Sequence, residues 1–223
     1  MRQTTLVSMG GLLLPTLFLF AIPALAGPPL ICHPFQIDGA KSLPWAGGSD
    51  FNSPDPSYDV RHLTQDTLNL LGPNTPVIVR METIRRAALY GAKDQRAEYE
   101  LLSRLTGRAL SSEVSGKPDP LALFDAGYLI ETLKQVTWLY KKNLAEGLDG
   151  ASIVLKAARS GVDAPAMEFA ASLMGESKWP NEHYRRALAG AQEGSLLARN
   201  LVTHSDGQGQ SIAALRAKYG KTE

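Results

Sequence analysis

From Tyr58 onward the chain carries apolar residues at helical spacing, punctuated by capping and breaking residues. In "SPDPSYDVRHLTQDTLNLLGP" the positions Val60, Leu63, Thr67, Leu70 and Leu71 share a face, and Gly72-Pro73 supplies a stop. "TPVIVRMETIRRAALYGA" aligns Val77, Met81, Ile84 and Ala88, with Thr75 as the expected cap and Pro76 at a first-turn position. The short "PVIV" also fits a strand, but the stripe running on to Ala88 favours a helix. "QRAEYELLSRLTGRAL" puts Leu101, Leu102, Leu105 and Ala109 on one side, and "SSEVSGKP" ends the pattern.

The longest predicted helix starts at Asp119-Pro120 and turns Leu121, Phe124, Tyr128, Leu129, Leu133, Val136 and Leu139 or Tyr140 inward. "DGASIVLKAARSG" and "DAPAMEFAASLMG" each begin at Asp and end at Gly, which predicts two short capped helices. "NEHYRRALAGAQEGSLLARNLVTHS" is expected as one helix burying Tyr184, Leu188, Ala191 and Leu201, weakened at Gly190 and Gly194 by about 1 kcal/mol each relative to alanine. "SIAALRAKYGK" adds a last helix. The expected fold class is all-α: a helical bundle or a short α-solenoid of helical hairpins, preceded by an irregular N-terminal strap.

Residues 27–57 have no apolar period and are dense in Gly and Pro. An irregular arm of this length exceeds the usual connection inside a domain. Its Leu30, Ile31, Phe35, Ile37, Leu43 and Trp45 are too many apolar groups for a solvated linker. Each contributes on the order of 1.5 to 3 kcal/mol when buried, so a strap across the helices is expected, with a partner's groove as the alternative. The following "PWAGGSDFNSPDPS" is expected to be a flexible hinge.

Ahead of this arm, Arg2, the apolar "GGLLLPTLFLFAIPALA" and Ala24-Leu25-Ala26 have the layout of a cleaved secretory signal over residues 1–26. The apolar run from Leu12 to Ala26 is shorter than the roughly 20 residues a spanning helix needs. No membrane span is expected after cleavage, and the residue before Cys32 does not suit lipid attachment. The expected chain is exported, periplasmic or extracellular, and starts at Gly27. The helical domain then covers residues 58–223.

Composition narrows the function classes. The net charge is +1 with acids and bases interspersed, so nothing in it attracts nucleic acid or an anionic membrane. The basic pairs Arg85-Arg86, Lys141-Lys142 and Arg185-Arg186 are expected to be solvated helix edges. The single cysteine excludes an intramolecular disulfide, leaving Cys32 free, buried or joined to a second chain as a linked dimer.

Candidate chemistry is sparse. Cys32-His33 pairs a thiol with an imidazole, but neighbours in an extended chain point opposite ways, and no second ligand motif accompanies them. Phosphate-loop, nucleophile-elbow, haem and zinc-protease patterns are missing, so neither cofactor nor metal is assigned. His62, His183 and His204 are expected as surface or capping histidines, with Glu182-His183 and His204-Asp206 able to meet across neighbouring helices. Glu131 and Glu168 lie among apolar residues, where burial would raise a carboxyl toward general-acid duty. Each also fits a stripe edge bonded to Arg or Lys.

An Ala-rich start followed by Gly recurs at residues 87–91, 122–127, 157–161 and 187–190, at intervals of about 30 to 35 residues, which suits helix-turn-helix units. "LKAARSGVDAPAMEFAASLM" (155–174) resembles the tetratricopeptide-like Sel1 repeat over about 20 residues. The second copy places its Gly inside the longest helix, and the Trp, Tyr and Pro marks of the tetratricopeptide unit are missing. Repeat array and plain bundle both stay open. The chain also resembles a secreted bacterial helical family without assigned activity, which implies no site residues.

The expectation is a helical binding or scaffolding protein with a protein partner in the cell envelope. The candidate binding residues are Ile31, Cys32, His33, Phe35 and Trp45. The alternative is a glycan hydrolase or lyase using Glu131 or Glu168.

Overall fold

Asp119 opens the longest helix by accepting hydrogen bonds from the amides of Leu121 and Ala122, with Pro120 in the first turn, and the chain repeats this device. Asp94 caps the helix before it in the same way, and Asp149, Asn181, Ser195 and Ser211 cap later ones. The computed structural model describes residues 28–47, 51–141, 144–174, 180–205 and 210–220. The expected signal over residues 1–26 lies outside them.

Among the described residues there are ten α-helices and no strand. They are α1 (Pro29–Cys32), α2 (Leu63–Leu70) after a 3-10 turn at Val60–His62, α3 (Val77–Gly91), α4 (Gln95–Val114), α5 (Pro120–Tyr140), α6 (Gly150–Ala158), α7 (Ala164–Ser172), α8 (Glu182–Gly190), α9 (Leu196–Thr203) and α10 (Ile212–Tyr219). The fold is all-α, with consecutive helices packed as neighbours from α2 to α8, apart from the α7–α9–α10 side where α10 returns to α8. No described helix is long and apolar enough to cross a membrane.

Helix α3 is the centre. Every residue of it except Arg86 is buried, because α2, α4, α5, α7 and the N-terminal strap surround it. The stripe from Val77 to Ala88 is therefore only part of its buried surface. Helices α5 and α6 cross at two glycines: a Cβ on Gly127 would lie 2.6 Å from the Gly150 carbonyl, and one on Gly150 would lie 2.4 Å from the Gly127 carbonyl. The alanine-glycine segments thus do unlike work. Gly127 allows a helix crossing, Gly161 adopts φ +82° in the α6–α7 turn, and Gly190 admits the Pro165 ring.

Four local expectations differ from the structure. Residues 181–205 form α8 and α9 rather than one helix, since the chain turns away at Ala191 and Gly194 takes φ +72°. Thr75 does not cap α3; its hydroxyl donates to the Leu70 carbonyl and closes α2 instead. Asp163 sits in the left-handed region at φ 43° and leaves its own helix uncapped, while its carboxylate accepts the Val77 amide of α3 at 3.4 Å. The expected hinge after Trp45 is tied together at its described ends, residues 48–50 lying outside the described residues. Trp45 and Pro54 form an isolated antiparallel bridge, and Ala46 donates to the Ser53 carbonyl at 3.1 Å.

Candidate functional site

The strap lies over α3, α5, α7 and α9. It has one helical turn, α1, where the sequence shows no helical rhythm; there Pro28 accepts from Ile31 and Cys32. Leu30, Ile31, Phe35 and Leu43 are buried in the common core, as the burial argument predicts. Its other backbone groups have no ladder to join, and a buried peptide group without a partner costs about 1–3 kcal/mol. Side chains of the helices take that role.

Most of them come from α3. Arg85, fully buried, donates from Nη1 to the carbonyls of Ile31 at 3.1 Å and Phe51 at 2.8 Å. Arg86 donates from Nη1 to the Leu43 carbonyl at 2.6 Å. Glu82 accepts the Phe35 amide at 3.0 Å and is itself held by Arg85 Nε at 2.8 Å and Arg86 Nε at 2.7 Å. Burial pushes the Glu82 carboxyl up, but the hydrogen bonds and charges of the two arginines more than offset this and hold it below its ordinary value. Tyr90 donates to the Pro44 carbonyl at 2.7 Å and accepts the Asp55 amide at 2.8 Å. Trp45 covers both arginines, with Arg85 5.0 Å and Arg86 5.7 Å from its ring centroid.

Arg85-Arg86 is therefore not a solvated edge. Irregular backbone needs charged donors, and α3 presents them. The sequence held one signal of this: apolar residues occupy every face of "VIVRMETIRRAALY", so its charges have no solvent side to share. Arg80 repeats the arrangement at the start of α3, where Nη1 bonds Asp125 at 2.7 Å, Nε donates to the Thr75 carbonyl at 2.9 Å, and Nη2 donates to the Gly72 carbonyl. Burial raises the Asp125 carboxyl to about 6 against the opposing charge of Arg80.

The far side of the strap meets α9. Asn200 accepts the Gln36 amide and donates to the Gln36 carbonyl, each at 2.9 Å. His204 stacks on Phe35 at 4.6 Å between centroids, with the edge of Phe169 at 5.6 Å and His33 at 5.8 Å. It is partly buried and caps the end of α9, its backbone amide donating to the Asn200 carbonyl, so of the two expected roles the capping one holds. Asp206, its expected neighbour, lies outside the described residues.

The candidate binding residues thus divide. Ile31 and Phe35 are buried in the protein's own core, Cys32 and Trp45 are partly buried, and His33 is exposed at the strap surface. Cys32 is a free thiol that burial pushes above its ordinary value, against the charge of Arg85. Among the described residues no group of three His, Cys, Asp or Glu side chains is arranged to hold a metal ion.

Glu131 and Glu168 lie on separate helices, each already engaged. Glu131 accepts Lys134 Nζ at 2.8 Å and the Ala151 amide at 3.1 Å, so it serves the first turn of α6 from across the glycine crossing. Glu168 bonds His183 Nδ1 at 2.6 Å and lies 3.5 Å from Arg186. His183 therefore meets Glu168 rather than standing alone, while Glu182 pairs with Arg186.

Periodicity also concealed an exposed apolar face. Tyr99, Leu110 and Val114 of α4 are 65%, 62% and 79% exposed, on the side away from its buried stripe. Leu110 borders a shallow cleft of about 200 Å³ whose other walls are Thr106, Ala109, Leu123, Ala126 and Ile153. Glu113 and Lys156 pair at its rim. Such a surface offers apolar contact with a charged border and little to hold a small polar substrate.

In comparison with known proteins, no family model, no curated protein and no solved structure matches the chain.

Proposed function

We propose that the chain is a helical binding or scaffolding protein, exported to the periplasm or beyond, which engages a protein partner through the α4–α6 face. The observation that carries this reading is exposed Leu110 at the mouth of the cleft of α5 and α6, with exposed Val114 one turn further along the same side of α4. A groove between helices suits the apolar side of a partner segment, with Glu113 and Lys156 orienting it at the rim. The strap is a poorer docking site in this state, because its apolar side chains already fill the core.

The engagement of Glu131 by Lys134 and α6, and of Glu168 by His183 and Arg186, supports binding over glycan cleavage. Both carboxylates have structural partners, and neither lines the α4–α6 cleft.

The test is affinity capture from envelope extract with the protein lacking residues 1–26, beside Leu110→Asp/Val114→Asp. A partner retained by the first and lost by the second, with helicity unchanged, is the expected result. An identical captured set overturns the choice of face. Release of fragments from purified envelope glycan, abolished in Glu131→Gln or Glu168→Gln, overturns the binding reading altogether.

A further inference from the structure

We propose that the C-terminal end of α5 faces the membrane while residues 1–26 remain attached, with Trp138 seated among the lipid headgroups. This goes beyond the binding reading and rests only on its export clause, in which the apolar run Leu12–Ala26 enters a bilayer.

The place where the described chain begins carries the argument. Pro28 is the first described residue, two positions after Ala26. The chain is pinned just beyond it. The Leu30 amide donates to Gln135 Oε1 at 2.7 Å, Gln135 Nε2 donates to the Leu173 carbonyl at 3.3 Å, and Leu30 is fully buried. A chain extends at most about 3.6 Å per residue, so Ala26 lies within about 15 Å of that anchored amide. A bilayer holding residues 12–26 therefore reaches the bundle at the last turns of α5.

The surface there suits a headgroup layer. Trp138, one turn beyond Gln135, is 62% exposed, although Leu133 and Val136 before it are buried. Lys134 and Lys141 stand four positions before it and three after it, on the same side of the helix. Lys141 is exposed and ends α5 in the left-handed conformation at φ 54°. Lys134 is held by Glu131 at 2.8 Å and keeps 32% of its side chain exposed. An indole between two ammonium groups is the combination that a membrane–water interface favours. The ring takes the headgroup level, and the lysine stems let their charges reach lipid phosphates.

This orientation leaves the α4–α6 cleft free. The cleft meets α5 at Leu123 and Ala126, which at 1.5 Å per residue lie about 20 Å from Trp138 along the helix. A tethered chain thus keeps Leu110 open to a partner.

Quenching of tryptophan fluorescence by brominated lipid tests this on the full chain of 223 residues. The vesicles are phosphatidylcholine and phosphatidylglycerol brominated close to the headgroup, and a Trp179→Phe background leaves Trp45 and Trp138 as reporters. The expected result is sedimentation with the vesicles and quenching that is mostly lost in Trp138→Phe. Because that position is exposed, helicity is expected to stay unchanged. Leu110→Trp, added to the protein without Trp138, is expected to fluoresce unquenched. Quenching that survives Trp138→Phe, or Leu110→Trp quenched as strongly as Trp138, overturns the proposal and leaves the export clause standing. A full chain that fails to bind vesicles overturns both. Equal binding by the protein lacking residues 1–26 removes the tether and overturns the proposal as well.

Discussion

Asn200 pairs with Gln36 as one strand pairs with another, its Oδ1 accepting the Gln36 amide and its Nδ2 donating to the Gln36 carbonyl, each at 2.9 Å across 164 positions of sequence. One buried amide on α9 thus replaces the ladder that the irregular strap lacks. Nδ2 also reaches the Leu196 carbonyl at 2.8 Å, which fixes the rotamer from within the helix. Asn200→Leu keeps the volume and removes these bonds. It is expected to cost roughly 1–3 kcal/mol, read as a lower midpoint in urea at unchanged slope. An unchanged midpoint would show that water replaces Asn200 without loss.

Arg85 is the strap's principal anchor, joining two carbonyls, Glu82 and the Trp45 face. Arg85→Met leaves Glu82 with Arg86 as its remaining cation and takes the guanidinium donor from the Ile31 and Phe51 carbonyls. The expected cost is about 3–5 kcal/mol, with Trp45 fluorescence changing before helical circular dichroism is lost. Coincident transitions at the native midpoint would remove Arg85 from that role.

Tyr128 is fully buried in α5, and its hydroxyl has no hydrogen-bond partner among the described residues. Burial drives the phenol well above its ordinary value. Tyr128→Phe removes a desolvated hydroxyl and keeps the ring stacked on Phe124, 5.4 Å away. Stability is expected to hold or rise by up to about 1 kcal/mol. A loss of more than that, measured by chemical denaturation, would reveal an ordered water on the hydroxyl.

The α5–α6 crossing makes a paired prediction. Gly127→Ala places a methyl 2.6 Å from the Gly150 carbonyl, a contact with backbone that forces the helices apart at about 1–3 kcal/mol. Glu131→Gln keeps an acceptor for the Ala151 amide, whereas Glu131→Ala removes it and costs on the order of 1 kcal/mol. Thermal midpoints ordered as native, Glu131→Gln, Glu131→Ala, Gly127→Ala check this ranking. A Glu131→Ala protein as stable as the native one would free that carboxylate from its structural duty.

The sequence by itself determined what local physics determines. Apolar spacing assigned the helical class, Asp119 and Asp149 marked helix starts through a bond within one turn, and Leu30, Ile31, Phe35 and Leu43 announced a buried strap by being too apolar for solvent. Their partners are a few residues away or are any apolar surface. Tertiary structure decided everything that required a particular distant partner. Arg85 is buried because strap carbonyls arrive above it, Asp163 turns to the amide of Val77 86 positions earlier, and Glu131 serves α6 because two glycines let the helices meet. The same holds for His204, a helix-end histidine whose stacking on Phe35 and edge contact with Phe169 depend on the strap and α7 arriving beside it. A hydrogen bond specifies one donor and one acceptor, whereas periodicity specifies only which face is turned inward, so the fold was legible along the chain and the polar pairings that pin the strap were not.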